Sequence, residues 1–392
     1  MRSNLGFFSD EKFRSIFFQT LVIGLFALGI FFIVNTTAYN LEKRNIATGW
    51  SFLQNPAGFD ISFSPFLEFK STDTHLKVYF VGVLNTLLVS ITGCIAATIL
   101  GFLLGIIRLS SNWLLSRLVY IYVEFSRNVP LLLQIILWYS ILIQLPRVKQ
   151  SLQILDVFYI SNRGLYSPRP IFESGFSYVL IAIVLALVSS FLINRWAKKR
   201  QDKTGQQFPV FSSSIGLIFV VPLILFFILG SPMSFEHPEL KGFNFKGGLV
   251  IRPEFIAMFL ALSIYTAAFI SEIVRAGIMS VSKGQREASA AIGLKQTWIM
   301  RLIIIPQALR VIVPPLTSQY LNLTKNSSLG IAVGYADLVH GFGGISLNQT
   351  GQAIECMVIV MATYLTISLT ISFFMNISVS YTHLRAHETA VN

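Results

Sequence analysis

Eight apolar stretches separated by polar segments run along the chain, at about 16–34, 78–107, 130–145, 176–194, 211–230, 254–276, 307–323 and 356–376. Each approaches the twenty or so residues that a helix needs to cross about 30 Å of hydrocarbon. A helix satisfies its own backbone hydrogen bonds, which lipid cannot do. The pattern therefore predicts an all-α, polytopic transmembrane helical bundle of about eight spans. Residues 1–77 read as an N-terminal anchor helix followed by an external loop, and 78–376 as the membrane domain, with two spans inserted at about 176–230. Residues 377–392 read as a tail without order. The first apolar run follows Arg14 and has no small-residue cleavage pattern behind it, so it reads as a retained anchor.

One stretch breaks the pattern. In 113–128, Arg117, Tyr120, Glu124 and Arg127 fall at i, i+3, i+7 and i+10, which puts them on one helical stripe. Glu124 and Arg127 are also spaced to pair at i, i+3. A helix lying along the membrane interface keeps these charges out of hydrocarbon. Pro130 then opens the true span, with Asn128 nearby as a cap. Gly101 and Gly105 form a GxxxG pair that admits a close neighbour, either within this chain or from a second subunit.

Composition agrees with the pattern. Hydrophobic residues make up 54% of 392 positions and charged residues 12%, with 34 phenylalanines. A soluble fold of this length cannot hide so much apolar surface. The formal charge of +12 sits mostly in short segments between spans, so it speaks for membrane orientation and not for nucleic-acid binding. With the N-terminus inside, the cytoplasmic segments hold 17 Lys and Arg against 12 in the longer external ones. The dense run Arg195–Lys203 decides the matter, and both termini are expected in the cytoplasm. The external segment 35–77 carries prolines, glycines and aromatics but no span. Cys94 and Cys356 lie far apart in apolar segments, without partners at ligand spacing, so no metal and no disulfide framework is expected.

The segment 280–306 carries the function. Residues Gln285–Ile292 favour a helix, and Gly293 suits a left-handed stop. A second helix is expected from near Lys295 toward Pro306. Such an elbow offers small residues (Ala288, Ser289, Ala290, Ala291) for close docking, with Lys283, Arg286 and Glu287 as orienting charges. Glu287-Ala288-Ser289, three residues, Gly293, nine residues and Ile303-Ile304-Ile305-Pro306 resemble the EAA loop of ABC importer permeases. Two positions depart from that pattern: Ser289 stands for the second alanine and Ile305 for a leucine. Phe125-Ser126-Arg127-Asn128-Val129-Pro130-Leu131-Leu132-Leu133-Gln134 is similar to the F-R-G-T-P-L-L-x-Q motif of polar amino acid permeases, with a serine inserted. Ser271–Ile278, Ser282–Gln285, Pro306–Arg310 and Leu323–Leu329 resemble the same branch. The external segment and the two extra spans are similar to the longer subunits of general L-amino acid permeases.

That resemblance implies a type I ABC importer permease domain over 78–376, in a bacterial inner membrane. It also implies a docking elbow of Gln285, Arg286, Glu287, Ala288, Ser289, Gly293 and Pro306. Its partners would be an ATP-binding subunit dimer, a second homologous permease subunit and a periplasmic amino acid-binding protein. No Gly-Lys dipeptide occurs, so the chain has no Walker A loop; ATP would be used by the partner, and the chain is expected to bind no cofactor and to have no catalytic residue. Asn322, Thr324, Lys325, Asn326 and Ser327 form the best polar cluster beside a span. They suit either the substrate path or the caps and turn of a helix end. Asp337 and Glu355 read as loop charges, and Glu272 with Arg275 as an i, i+3 pair. An ion-gradient-driven transporter is the alternative, but no internal repeat or mid-span acid supports it.

Overall fold

The computed structural model describes residues 11–44, 47–155 and 157–390. The first ten residues, with Arg2 of the charge count, and the last two residues of the tail lie outside them. The helices are α1 (Glu11–Lys43), α2 (His75–Ile107), α3 (Trp113–Asn128), α4 (Leu131–Ile143), α5 (Phe176–Thr204), α6 (Val210–Ile228), α7 (Pro253–Met279), α8 (Lys283–Ala291), α9 (Gln296–Ile299), α10 (Ile305–Asn326) and α11 (Ala353–Ala390). Among the described residues, seven helical segments are long and apolar enough to cross a membrane, and eight if the bent pair α3–α4 counts as one span. The eight apolar stretches are therefore all helical. Residues 377–390 continue α11, where the sequence predicts no order. A helix already running through apolar 356–376 meets no glycine or proline to stop it there.

The α3–α4 pair bends by 107° at its break. Proline has no N–H for the helical ladder, and it disfavours the α conformation in the residue before it. Val129 is accordingly extended, and α4 begins after Pro130. α4 has 13 residues and rises about 20 Å, short of the hydrocarbon thickness by itself.

The chain divides into two compact units, Met1–Ile136 with Met258–Asn392, and Leu137–Ala257. In the first unit α2 and α7 pack with almost no space between their backbones. A Cβ on Gly101 would lie 2.5 Å from Ile270 Cγ2, and one on Gly105 2.8 Å from the Ser271 carbonyl. The GxxxG pair thus serves packing within this chain. Tyr122 Oη of α3 donates to the Ile264 carbonyl of α7, and Val119 and Val123 pack on Ala268. The segment after α1 forms a cap: Phe52 and Ala57 join Val78, Leu338, Phe342, Cys356 and Val360 in one core. Glu355, expected as a loop charge, is buried instead and accepts the Gly49 N–H at 2.6 Å.

Among its described residues, the second unit adds eight short strands to the expected helices. They are β1 (Leu152–Ile154), β2 (Phe158–Ser161), β3 (Gly164–Ser167), β4 (Arg169–Phe172), β5 (Met233–Glu236), β6 (Glu239–Lys241), β7 (Asn244–Lys246) and β8 (Leu249–Ile251). A four-stranded antiparallel sheet runs β1-β2-β3-β8, and β4 pairs with β5. Strands before α5 therefore pair with strands after α6, so 152–172 and 233–251 lie on one side of the membrane. Tyr166, Phe245 and Val148 form the small core there. The basic run from Arg195 occupies the far end of α5.

Gly105→Leu should lower the unfolding temperature of the detergent-solubilised protein, at a cost of about 1–3 kcal/mol for overpacking. Gly24→Leu in α1, where nothing lies within 4 Å of the new Cβ, should leave it unchanged.

Candidate functional site

Small and charged residues of 283–291 form α8, and Gly293 ends it with φ +82°. The Leu294 N–H donates to the Ser289 carbonyl at 3.3 Å and the Gly293 N–H to the Ala290 carbonyl at 2.9 Å. This double closure is the Schellman motif, which favours glycine at the left-handed position. Gln285, Arg286, Glu287, Ala288, Ala290 and Ala291 are all exposed, as is Ile292 beyond them at 77%. Ser289 is buried, and its hydroxyl donates to the Gln285 carbonyl at 2.5 Å. A serine in place of alanine thus costs little here, because its own helix satisfies the added polar group.

The second half of the elbow does not end at Pro306. α9 runs into a π-helical segment, Met300–Ile304, and from there directly into α10. Pro306 would remove the α-type bond to the carbonyl four residues back, and a wider turn just ahead of it accommodates the ring. Elbow and membrane helix are one rod. α10 packs on α2 and α11.

Beside the elbow, Glu272 receives Arg275 from its own helix and Arg108 from the end of α2. The i, i+3 pair was legible in the sequence, but the tie across 164 positions was not. Its signal is that Arg108, just past an apolar run, needs a partner as it leaves the membrane. Glu124 turns to Asn128, with Oε2 3.5 Å from the amide, and does not pair with Arg127. The Arg127 guanidinium lies over Phe269 at 5.5 Å.

The polar cluster at the end of α10 divides in two. Thr324 and Ser327 are buried. The Thr324 hydroxyl donates to the Tyr320 carbonyl, and that of Ser327 to the Thr324 carbonyl while lying 3.2 Å from Tyr364 Oη. Asn322 and Lys325 are exposed and Asn326 half-buried. Thr324 alone of the five lines a groove of about 530 Å³ between α2, α10 and α11, with Ser90, Cys94, Tyr320, Thr366 and Thr370.

Asp337 belongs to this network and is not a loop charge. It is fully buried; its carboxylate accepts the His340 N–H at 2.8 Å and Tyr364 Oη at 3.3 Å. Two neighbours are tied back to α2: the Leu338 N–H donates to Thr86 Oγ1, and Tyr335 Oη to the Asn85 carbonyl. The signal in the sequence was a lone acid in an apolar stretch, Gly330–Ile345, where water cannot reach it. Burial pushes the Asp337 carboxyl up to about 6, against the opposing pull of its hydrogen bonds.

A carboxyl raised from 3.8 favours the protonated form in the folded protein. Its contribution to stability is complete below the ordinary carboxylate range and is lost as pH rises through about 6. The solubilised protein should therefore unfold at lower temperature at neutral pH than at mildly acidic pH. Asp337→Asn should flatten that difference.

The family described as the binding-protein-dependent transport system inner membrane component matches residues 97–382. The chain is 50% identical over 368 residues to the general L-amino acid transport system permease protein AapQ of Rhizobium johnstonii, across 94% of this chain and 92% of the relative. It is 46% identical over 371 residues to the putative amino-acid ABC transporter permease protein YhdX of Escherichia coli, across 94% of each. A chain from the crystal structure of an amino acid ABC transporter with histidines aligns over 78% of this chain and 95% of that one, with 19% identity and a TM-score of 0.46. With a multi-span helical bundle and a family match that covers most of its length, the chain belongs to the inner membrane components of binding-protein-dependent transport systems.

Proposed function

We propose that the chain is the permease subunit of an ATP-driven amino acid importer, and that its elbow docks on a separate ATPase. One observation carries this reading. An exposed knob, α8–Gly293–α9, closed by two hydrogen bonds at its turn, is continuous with a membrane helix that packs in the bundle. A partner that grips the knob moves α10 without slack, because no loop intervenes. Closure of an ATPase dimer on two such knobs would switch the membrane cavity between outward and inward openings. Gln285, Arg286, Glu287 and Ala288 supply the docking face, Ser289 and Gly293 set its shape, and Pro306 lies inside the rod where the π turn gives way to α10. The names of AapQ and YhdX support amino acids as the cargo.

The full assembly would include a second permease subunit, an ATPase dimer and a periplasmic amino acid-binding protein, in a bacterial inner membrane. Both termini and the elbow would face the cytoplasm by the positive-inside rule. ATP would be consumed by the partner, and this chain would do no covalent chemistry. A zwitterionic substrate needs a donor for its carboxylate and an acceptor for its ammonium. We assign the path to the end of α10, with Asn322, Lys325 and Asn326 as amide and cationic donors and Thr324 and Ser327 as hydroxyls.

Reconstitution in liposomes with the ATPase and binding protein should give ATP-dependent uptake of amino acids. Gly293→Asp strains a left-handed position and adds a second carboxylate to the tip that carries Glu287. It should abolish uptake while leaving the protein in the membrane; normal uptake by this variant would sink the elbow assignment.

A further inference from the structure

Where α2 ends and α3 begins, three guanidinium groups converge on one cavity. It measures about 510 Å³ and is lined by Arg108, Ser110, Ser111, Trp113, Arg117 and Arg275, among others. Arg108 and Arg275 share one carboxylate, Glu272. Among the described residues, no acid lies within ion-pair distance of Arg117. Three cations against one anion leave an excess of two positive charges around the cavity. The guanidiniums are also held in place: those of Arg108 and Arg117 lie over the Tyr120 ring at 5.2 Å and 5.1 Å. The N-terminal end of α3 opens onto the same space and adds partial positive charge. Planar, pre-positioned forks beside serine hydroxyls match the oxygens of a phosphate group.

The surroundings decide what carries that phosphate. The cavity lies at helix ends just outside two spans, beside Leu109 and Ser110, which also border the elbow residues Lys283 and Arg286. Running away from it along α3 is an apolar stripe, Leu114, Leu118, Ile121 and Phe125, each 54–60% exposed. These positions recur at i, i+4, i+7 and i+11, one face of the helix. Trp113, 75% exposed, stands at the junction of stripe and cavity, as interfacial tryptophans do. A soluble phosphate has no use for the stripe, whereas a lipid uses both parts.

We propose that this cavity binds the phosphate headgroup of an anionic phospholipid from the leaflet on the elbow side, with acyl chains along the α3 stripe. The excess cations select a headgroup with net negative charge over a zwitterionic one, whose ammonium would meet arginines. Such a lipid would pin the α2–α3 corner at the interface.

The test uses the purified full-length chain, delipidated in detergent and then given phosphatidylglycerol, phosphatidylethanolamine or glycerol phosphate, with bound molecules counted by native mass spectrometry. The wild type should retain phosphatidylglycerol in preference to phosphatidylethanolamine. Arg117→Gln should weaken retention about fivefold, from about 1 kcal/mol per cation near the membrane surface, and Arg117→Lys should keep most of it. Arg169→Gln, an equal loss of charge in the exposed strand β4, should change nothing. Ser111→Glu, at an exposed loop position, places a repelling carboxylate at the rim and should act like Arg117→Gln should that variant misfold. Equal retention of the two lipids by the wild type would overturn the proposal, as would undiminished retention in Arg117→Gln or Ser111→Glu. Displacement of the lipid by glycerol phosphate at equal affinity would reassign the site to a soluble anion and overturn it as well.

Discussion

The backbone contact between α2 and α7 sets the rest of this bundle. Lipid tails are as apolar as leucine, so burying apolar side chains gives helices little reason to associate in a membrane. Dispersion does the work, and it falls off steeply with distance. Gly101 and Gly105 bring α2 within reach of the Ile270 and Val274 side chains and the Ser271 carbonyl. α7 answers with Ala267 and Ala268, both fully buried. Once the two helices touch at that level, their ends are fixed as well. Arg108 then meets Glu272, and α3 is held by Tyr122 on the Ile264 carbonyl. The same register along α2 presents Asn85 and Thr86 to the segment that follows α10.

At that opposite end of α2 the constraint changes from packing to satisfaction of polar groups. The chain from Tyr335 to Ser346 is buried or half-buried throughout, with irregular and π-helical backbone. Backbone of that kind survives away from water only where protein supplies its partners. Asn85 and Thr86 do so on either side of Asp337; Tyr364 serves the Asp337 carboxylate and meets Ser327, and His75 Nδ1 meets Ser346 Oγ at 2.9 Å. The cap around Phe52 then covers the assembly and is itself tied down through Gly49 and Glu355. Residues 47–74 of the external segment, which has no legible role in sequence, close this end of the bundle.

The same physics governs which features were legible in the sequence and which were not. Span number came through because hydrocarbon thickness imposes a length on every apolar run, and Pro130 announced the break between α3 and α4 by its missing N–H. The glycine at 293 was legible for a comparable reason, since a left-handed stop restricts residue type. Asp337 and Glu355 read as loop charges in sequence because charge alone does not reveal depth; both sit near spans, and only the fold tells which face they turn. The strands escaped as well. Each has three or four residues, too few for an alternating pattern to stand out, and β3–β8 and β4–β5 join positions on either side of two spans. The five polar residues at 322–327 suit two readings in sequence, and the fold divides them: Thr324 and Ser327 turn inward to backbone partners, while Asn322 and Lys325 do not.

A coupling element has to meet two demands that ordinarily conflict. It must expose enough surface for a partner to hold, and it must be stiff enough that force is not lost in bending. α8 meets the first by burying only Ser289 of its nine residues, at the cost of little packing of its own. Stiffness then has to come from elsewhere. The two-bond closure at Gly293 locks the angle between α8 and α9, and the unbroken path from α9 through the π segment into α10 carries that angle to the core. A longer connection at the first point, or any loop at the second, would add freedom that costs entropy to suppress. The π turn ahead of Pro306 is therefore consistent with the proposed role in a specific way. It fits the proline while leaving the helix continuous, so an elbow nearly bare of packing is joined without a break to residues that are wholly buried.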